Sequence, residues 1–262
     1  MSANNRPFFT CQTDNAFRIK IIAEIVSNIL KTSFWEINAN GISLSMFDES
    51  RKTMLTIDLK ASNFQEYEFD SREGINIGIN SGHFYKMLKS IKKKDTMGLQ
   101  IDSVDSTELN ITMIPKERNR KTVSKIKIQV AQNLEVMNPS GYSRSVIVPS
   151  SDFQKMIKDL STLSSDKIVI STRKNAIDFS ADADGIMART VSFGDPDSTG
   201  PSDSYNFSTE QVQRISKISA LCESIHIFPA TQDLPIKFMT NIGLLGTICI
   251  YIKSDEHLKE DA

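Results

Sequence analysis

Cysteine is scarce in this chain: Cys11, Cys222 and Cys249 are scattered through 262 residues. An odd number spaced this way matches neither a disulfide framework nor a zinc-ligand set, and it points to a reducing compartment. No apolar run approaches the roughly 18 residues that cross a bilayer. The segment Met1–Thr13 holds no apolar core of signal-peptide length, so no membrane partner is expected. His83, His226 and His257 stand apart from any Cys or carboxylate at metal-ligand spacing. There is no glycine-rich phosphate loop, no H-x-x-x-H and no Gly-x-Ser-x-Gly. Asp14, Asp48 and Asp152, the first acids to consider for catalysis, read as helix caps or turn residues. We expect no catalytic residue, no metal and no cofactor, and read the chain as a non-enzyme.

What the chain does have is a repeated helix. From Ser151, at about 100° per residue, Phe153, Met156, Ile157 and Leu160 fall on one face and Lys155 and Lys158 on the opposite one. The lettering recurs as Phe84-Tyr-Lys86-Met87-Leu88-Lys89 with Ile91, and more weakly as Val212-Gln-Arg214-Ile215-Ser-Lys217. An apolar stripe at Ile19, Ile22, Ala23, Val26 and Ile29, with Lys20 off it, marks a further helix after Asp14-Asn15. The spacing predicts helices over 16–31, 81–94, 150–163 and 208–221. These hold 12 Lys or Arg and 4 Asp or Glu, an excess of +8 in a chain whose net charge is −1. A protein acidic elsewhere and basic on its helices has a polarised field that can hold a polyanion at one surface.

Strand signals lie between the helices. Phe34–Met46 reads as a hairpin around Asn40-Gly41. Strands are expected at 53–59, 66–69, 98–101 and 108–114, and at 125–130, where Ile126, Ile128 and Val130 alternate with Lys125, Lys127 and Gln129. Alternation stops at Asn133–Gly141, and the plan then restarts: strand 143–148, a helix, and a hairpin in which Ala176-Ile-Asp-Phe echoes Gly41-Ile-Ser-Leu. Closing strands are expected at 223–228, 236–240 and 246–252, a surface loop at 195–204 and a loose polar tail from Ser254. We read an α+β chain of two tandem similar domains, 1–132 and 142–262, joined by a connector at 133–141.

At Val148–Leu163 the sequence resembles the sliding clamps of the proliferating cell nuclear antigen family, through Pro-Ser-x-x-Phe running into a basic helix that ends Asp-Leu-Ser. The similarity extends to Phe34–Asp48 (Trp35, Gly41, Leu44, Asp48), Ser81–Lys89, Phe207–Lys217 and Leu234–Ile252. The resemblance implies the DNA-clamp fold: a homotrimeric, pseudo-sixfold ring with helices on the inner face of antiparallel sheets. It implies a processivity factor that encircles double-stranded DNA without reading sequence and tethers DNA polymerase and other replication and repair proteins. A clamp loader would be a further partner, in the nucleus or at a viral replication site. Monomeric or dimeric processivity factors and subunits of heterotrimeric checkpoint-type clamps are the alternatives. By the same resemblance Lys20, Lys86, Lys89, Lys155, Lys158, Arg214 and Lys217 would face DNA. Phe47, Asp48, Leu134, Val136, Met137, Pro235, Tyr251 and Ile252 would form the pocket for short aromatic-anchored partner peptides. Edge strands carrying Lys125, Ile126, Lys127 and Ile128, and Ile186, Met187 and Arg189, would form the subunit interface. The chain departs from the family pattern in a connector about three residues shorter, in Ser254 where a proline is usual, and after Val191, where a Pro/Ser/Gly loop stands in place of a strand.

Overall fold

The computed structural model describes residues 6–117, 119–131, 136–163, 165–195, 197–198 and 203–260. The N-terminal half orders β1 (Phe9–Thr13), α1 (Ala16–Ile29), β2 (Thr32–Asn38), β3 (Gly41–Phe47), β4 (Thr53–Lys60), β5 (Glu66–Phe69), β6 (Ile75–Asn80), α2 (Ser81–Leu88), β7 (Thr96–Ile101), β8 (Glu108–Ile114), β9 (Thr122–Lys127) and β10 (Gln129–Val130). The C-terminal half orders β11 (Val146–Pro149), α3 (Ser150–Ser161), β12 (Lys167–Arg173), β13 (Ala176–Ala183), β14 (Met187–Gly194), β15 (Asp203–Ser208), α4 (Thr209–Arg214), a 3-10 turn at Ser216–Ala220, β16 (Ser224–Phe228), β17 (Ile236–Asn241), β18 (Gly246–Ile252) and α5 (Asp255–Glu260). Strand–helix–strand–strand thus opens both halves, as the echo in the sequence implies. Among the described residues no strand between β14 and β15 answers to β5, and no helix is long and apolar enough to cross a membrane.

Two compact units result. The first is Met1–Met46, Thr56–Val136 and Asn241–Thr247; the second is Phe47–Leu55, Met137–Thr240 and Ile248–Ala262. In the first, an antiparallel sheet runs β5-β1-β7-β8-β9, and a second sheet carries β10-β6-β2-β3. Ile19 and Ile22 of α1, Trp35, Ile77, Phe84 and Leu109 line an apolar cavity of about 40 Å³ at its centre. In the second unit the sheets are β14-β13-β12-β15 and β18-β17-β16-β11. Phe153 of α3 is fully buried against Phe238, ring centroids 5.7 Å apart. Burying that one side chain stabilises the unit by about 2–3 kcal/mol.

The predicted apolar stripes are buried in α1, α2 and α3. Ile21 and Ile25 of α1 are buried as well, and α2 packs on this helix. Helices α1, α2, α3 and α4 each open on a small buried residue, Ala16, Ser81, Ser150 and Thr209. A small side chain there lets the chain turn from strand to helix close against the sheet.

Several expected boundaries are corrected. The second helix ends at Leu88, not Lys94. Ile91 turns back into the core, its N–H bonded to Leu88 O, and the Asp95 carboxylate caps the Lys92 N–H, so Lys92, Lys93 and Lys94 lie on a turn. The fourth helix gives way to the 3-10 turn after Arg214. The observed segments therefore carry seven Lys or Arg against four Asp or Glu, an excess of +3 rather than +8. The first hairpin turns at Ala39-Asn40, one residue before Asn40-Gly41, because Asn38 pairs with Gly41 and its side-chain oxygen accepts the N–H groups of Asn40 and Gly41. Gly41 is still required: a Cβ there would lie 2.0 Å from Leu59 O. The strand expected at 125–130 is two strands, β9 on β8 and β10 on β6. Asp152 lies inside the first turn of α3 rather than at its cap, which is Pro149.

The tail expected to be loose is tied down, while residues 196 and 199–202 of the expected 195–204 surface loop lie outside the described residues. The tail forms α5, with Asp255 paired to Lys167 at 2.7 Å and Glu256 accepting from both the backbone and side-chain nitrogens of Asn206. His257 stacks on Tyr205 at 5.6 Å and bonds Ser254 Oγ and Thr231 O. In the 195–204 loop Ser198 is buried, and its carbonyl accepts from Arg173 Nη1 at 3.0 Å.

Arg173 also grips Asp178 on the neighbouring strand through Nε and Nη2 at 3.0 and 2.8 Å. Burial alone would raise the Asp178 pKa, but the Arg173 and Ser192 hydrogen bonds and the Arg173 charge outweigh it and hold the carboxyl below its ordinary 3.8. A depressed carboxyl stabilises the fold above the unfolded-state pKa, and that stability is lost as pH falls through the folded value. Asp178→Asn is therefore expected to lower the melting temperature at pH 7, with the gap to wild type closing as melts are taken below pH 4. A gap constant over that range would show that the ion pair does not carry it.

Candidate functional site

In the first unit Lys86 and Lys89 are exposed at the C-terminal end of α2, opposite Phe84 and Leu88. Neither makes a side-chain hydrogen bond or ion pair with another described residue. Two ammonium groups at a helix C-terminus are also favoured by the helix dipole. Lys20 differs: it is half-buried, lies 5.5 Å from the Phe17 ring centroid, and donates to Ile91 O at 2.9 Å. Its charge is tied to the turn that ends α2.

In the second unit Lys155 and Lys158 are exposed on α3, one turn apart and opposite the buried face, again with no ion pair among the described residues. Arg214, half-buried, pairs with Glu210 one turn earlier on α4. Lys217 is exposed on the 3-10 turn. Both α4 and that turn pack on α3, so these four cations belong to one helical layer.

The two strands expected to join subunits are sheet edges. Among the described residues β9 pairs with β8 alone, and β14 with β13 alone. On β9, Lys125 and Lys127 are exposed and Ile126 is buried; Ile128 follows the strand and is buried. Lys125 pairs across the ladder with Glu108 at 2.9 Å. Val123, unremarked in the sequence, is 55% exposed on the same edge. Ile186 precedes β14 in a turn rather than lying on it, and is 83% exposed; Met187 and Arg189 are exposed on the strand. Long edges with bare backbone and apolar side chains are templates for pairing.

The pocket residues divide. Leu134 lies outside the described residues. Val136 is half-buried and Met137 almost fully exposed. Asp48 is buried, and its carboxylate accepts from Ser50 Oγ at 2.6 Å and from the backbone N–H groups of Lys52 and Thr53, which makes it a turn organiser. Phe47 is half-buried beneath Arg51 and Lys253, 5.5 and 5.9 Å from its ring centroid. Tyr251 and Ile252 are buried, and Pro235 is half-buried.

The sequence reading missed the groups around Tyr251. The Tyr142 ring lies 6.1 Å from Tyr251 and 5.8 Å from Phe228, and its hydroxyl donates to Pro235 O at 2.9 Å. Burial, with Tyr251 and Cys249 adding to it, pushes the Tyr142 pKa up, so the hydroxyl remains a neutral donor. Lys237, cross-strand partner of Phe228, holds its ammonium 5.3, 4.8 and 5.6 Å from the rings of Tyr142, Phe228 and Tyr251. The available signal was alternation: Phe228 and Lys237 take the outward phase of β16 and β17, where a large aromatic is unusual unless something covers it.

Comparison with known proteins agrees with this architecture. The family model described as the proliferating cell nuclear antigen N-terminal domain matches residues 8–136, and that of the C-terminal domain matches 137–255. The crystal structure of the proliferating cellular nuclear antigen from Entamoeba histolytica superposes with a TM-score of 0.82 over 95% of this chain and 100% of that one, at 18% identity. At that identity the likeness speaks for the fold, while the two family models together span nearly the whole sequence. The chain therefore belongs to the proliferating cell nuclear antigen family of DNA sliding clamps, which are scaffolds rather than enzymes.

Proposed function

We propose that three copies of this chain close into a ring around duplex DNA and tether DNA polymerase and other replication and repair proteins to it. The observation that carries this reading is the pair of exposed lysine doublets, Lys86/Lys89 and Lys155/Lys158, without ion pairs among the described residues and each set by helical phase opposite a buried stripe. Diffuse ammonium charge meets phosphates without reading bases, which lets a clamp slide. Lys217 adds its charge to that surface, and Lys20 and Arg214, bonded to Ile91 O and Glu210, contribute field more than direct phosphate binding.

Ring closure would join the β9 edge, with Lys125, Ile126, Lys127 and the following Ile128, to the β14 edge of the next copy, with Ile186, Met187 and Arg189. The pairing would cover both bare strands. Phe47, Pro235, Tyr251 and Ile252, with Met137 from the connector, would receive the aromatic anchors of partner peptides, with Asp48 shaping the rim. Opening a closed ring requires a loader. The setting is the nucleus, or a viral replication site.

Sedimentation at several concentrations is expected to return three times the 29.4 kDa chain mass; a concentration-independent monomer would rule the ring out. Reversing Lys86, Lys89, Lys155 and Lys158 to Glu should abolish polymerase stimulation with the trimer intact, and the salt slope of DNA binding should shrink by about 0.9 for each phosphate no longer neutralised. Unchanged stimulation would remove these helices from the DNA surface. Tyr251→Ala should abolish partner-peptide binding. Because Tyr251 is only 4% exposed, the half-exposed Tyr142→Ala supplies a milder lesion, with roughly tenfold weaker binding and unchanged mass; full binding by both variants would show that the pocket lies elsewhere.

A further inference from the structure

The arrangement of Lys237 bears on which peptides this surface accepts. Its ammonium sits against three rings, Tyr142, Phe228 and Tyr251, at 4.8 to 5.6 Å. It makes no ion pair with any carboxylate of the described residues. Arg51 and Lys253 approach Phe47 in the same way within the same unit. The one acid nearby on the Phe47 turn that is buried, Asp48, has its carboxylate engaged by a hydroxyl and two backbone N–H groups. The patch is thus aromatic beneath and cationic above. An ammonium resting on ring faces is attracted by their quadrupoles but lacks the strong acceptor that a carboxylate would supply.

We propose that Lys237 is a specificity-determining residue of the peptide site: it caps the Tyr142–Phe228–Tyr251 cradle in the free protein and pairs with a carboxylate flanking the aromatic anchor of a bound peptide. This rests on the reading of the patch as the partner-peptide site. The occupant is an extended segment carrying an aromatic side chain next to Asp or Glu. Its ring takes the place of the lysine stem over Tyr142 and Tyr251, and its carboxylate receives the displaced ammonium. The charge complementarity runs one way: a peptide with Lys or Arg at the same position would set a second cation beside Lys237.

The test uses two short fluorescein-labelled peptides, each with two adjacent phenylalanines, followed by Asp in one and Asn in the other. Fluorescence polarisation on the intact protein is expected to show the Asp peptide binding roughly five- to tenfold more tightly, the discrimination given by a hydrogen bond to a charged group, with the ratio falling as salt rises. In Lys237→Met the ratio should drop to about one, while the Asn peptide binds at least as tightly as to wild type. Lys237→Arg, which keeps the charge, should retain most of the preference. If both peptides bind and Lys237→Met leaves their ratio unchanged, the role assigned to Lys237 is wrong and the peptide site stands. If neither peptide binds wild type, the peptide site itself falls, and this inference with it.

Discussion

Burial of a helix stripe against a sheet is the constraint on which the rest depends. A helix has 3.6 residues per turn, so fixing Phe153, Met156, Ile157 and Leu160 in the core leaves Lys155 and Lys158 no choice of direction. The same holds for Phe84 and Leu88 against Lys86 and Lys89. Several side chains worth about 2 kcal/mol or more each hold such a helix in phase. The exposed charges are positioned by that burial at no further cost in order. The proposed sequence-independent contact with phosphate gains from this, because long solvated cations are carried on rigid anchor points.

The same logic decides which parts of the molecule were legible in the sequence. Periodicity survives translation into structure wherever one face is buried, so α1, α3, the β2–β3 hairpin and the alternation of Ile126 and Lys127 were readable. Boundaries set by tertiary packing were not. Nothing local announces that Ile91 will turn inward and end α2 at Leu88, pulling Lys92–Lys94 off the helix. Nor does composition reveal that the polar tail will be held by Asn206, Lys167 and Tyr205, residues about fifty or more positions earlier or, for Lys167, nearly ninety. The Asn38 side chain, by taking two N–H groups of the turn, moved the hairpin by one residue from where Asn40-Gly41 alone would set it.

The candidate site was legible in the exposed lysines of α2 and α3 and in its sheet edges, and less so in its aromatic patch. Lys20 and Lys86 look alike in sequence, yet one is bonded to a carbonyl seventy-one positions away and the other stands exposed on its helix. Asp48 has the letters of a rim acid and the geometry of a turn organiser. Tyr142, Phe228 and Lys237 come together only because β16 and β17 pair in the register that sets Phe228 opposite Lys237, and because Tyr142 reaches the Pro235 carbonyl. Long-range register is the information that a single sequence withholds.

The central claim is that the outward lysines of α2 and α3 meet the same DNA. Lysine acylation footprinting by mass spectrometry, with and without saturating duplex at low salt, measures this directly. The account predicts joint protection of Lys86, Lys89, Lys155 and Lys158, with Lys60 and Lys174, exposed elsewhere, labelled equally in both states. Protection confined to one helix, or labelling of all four unchanged by DNA, would contradict it.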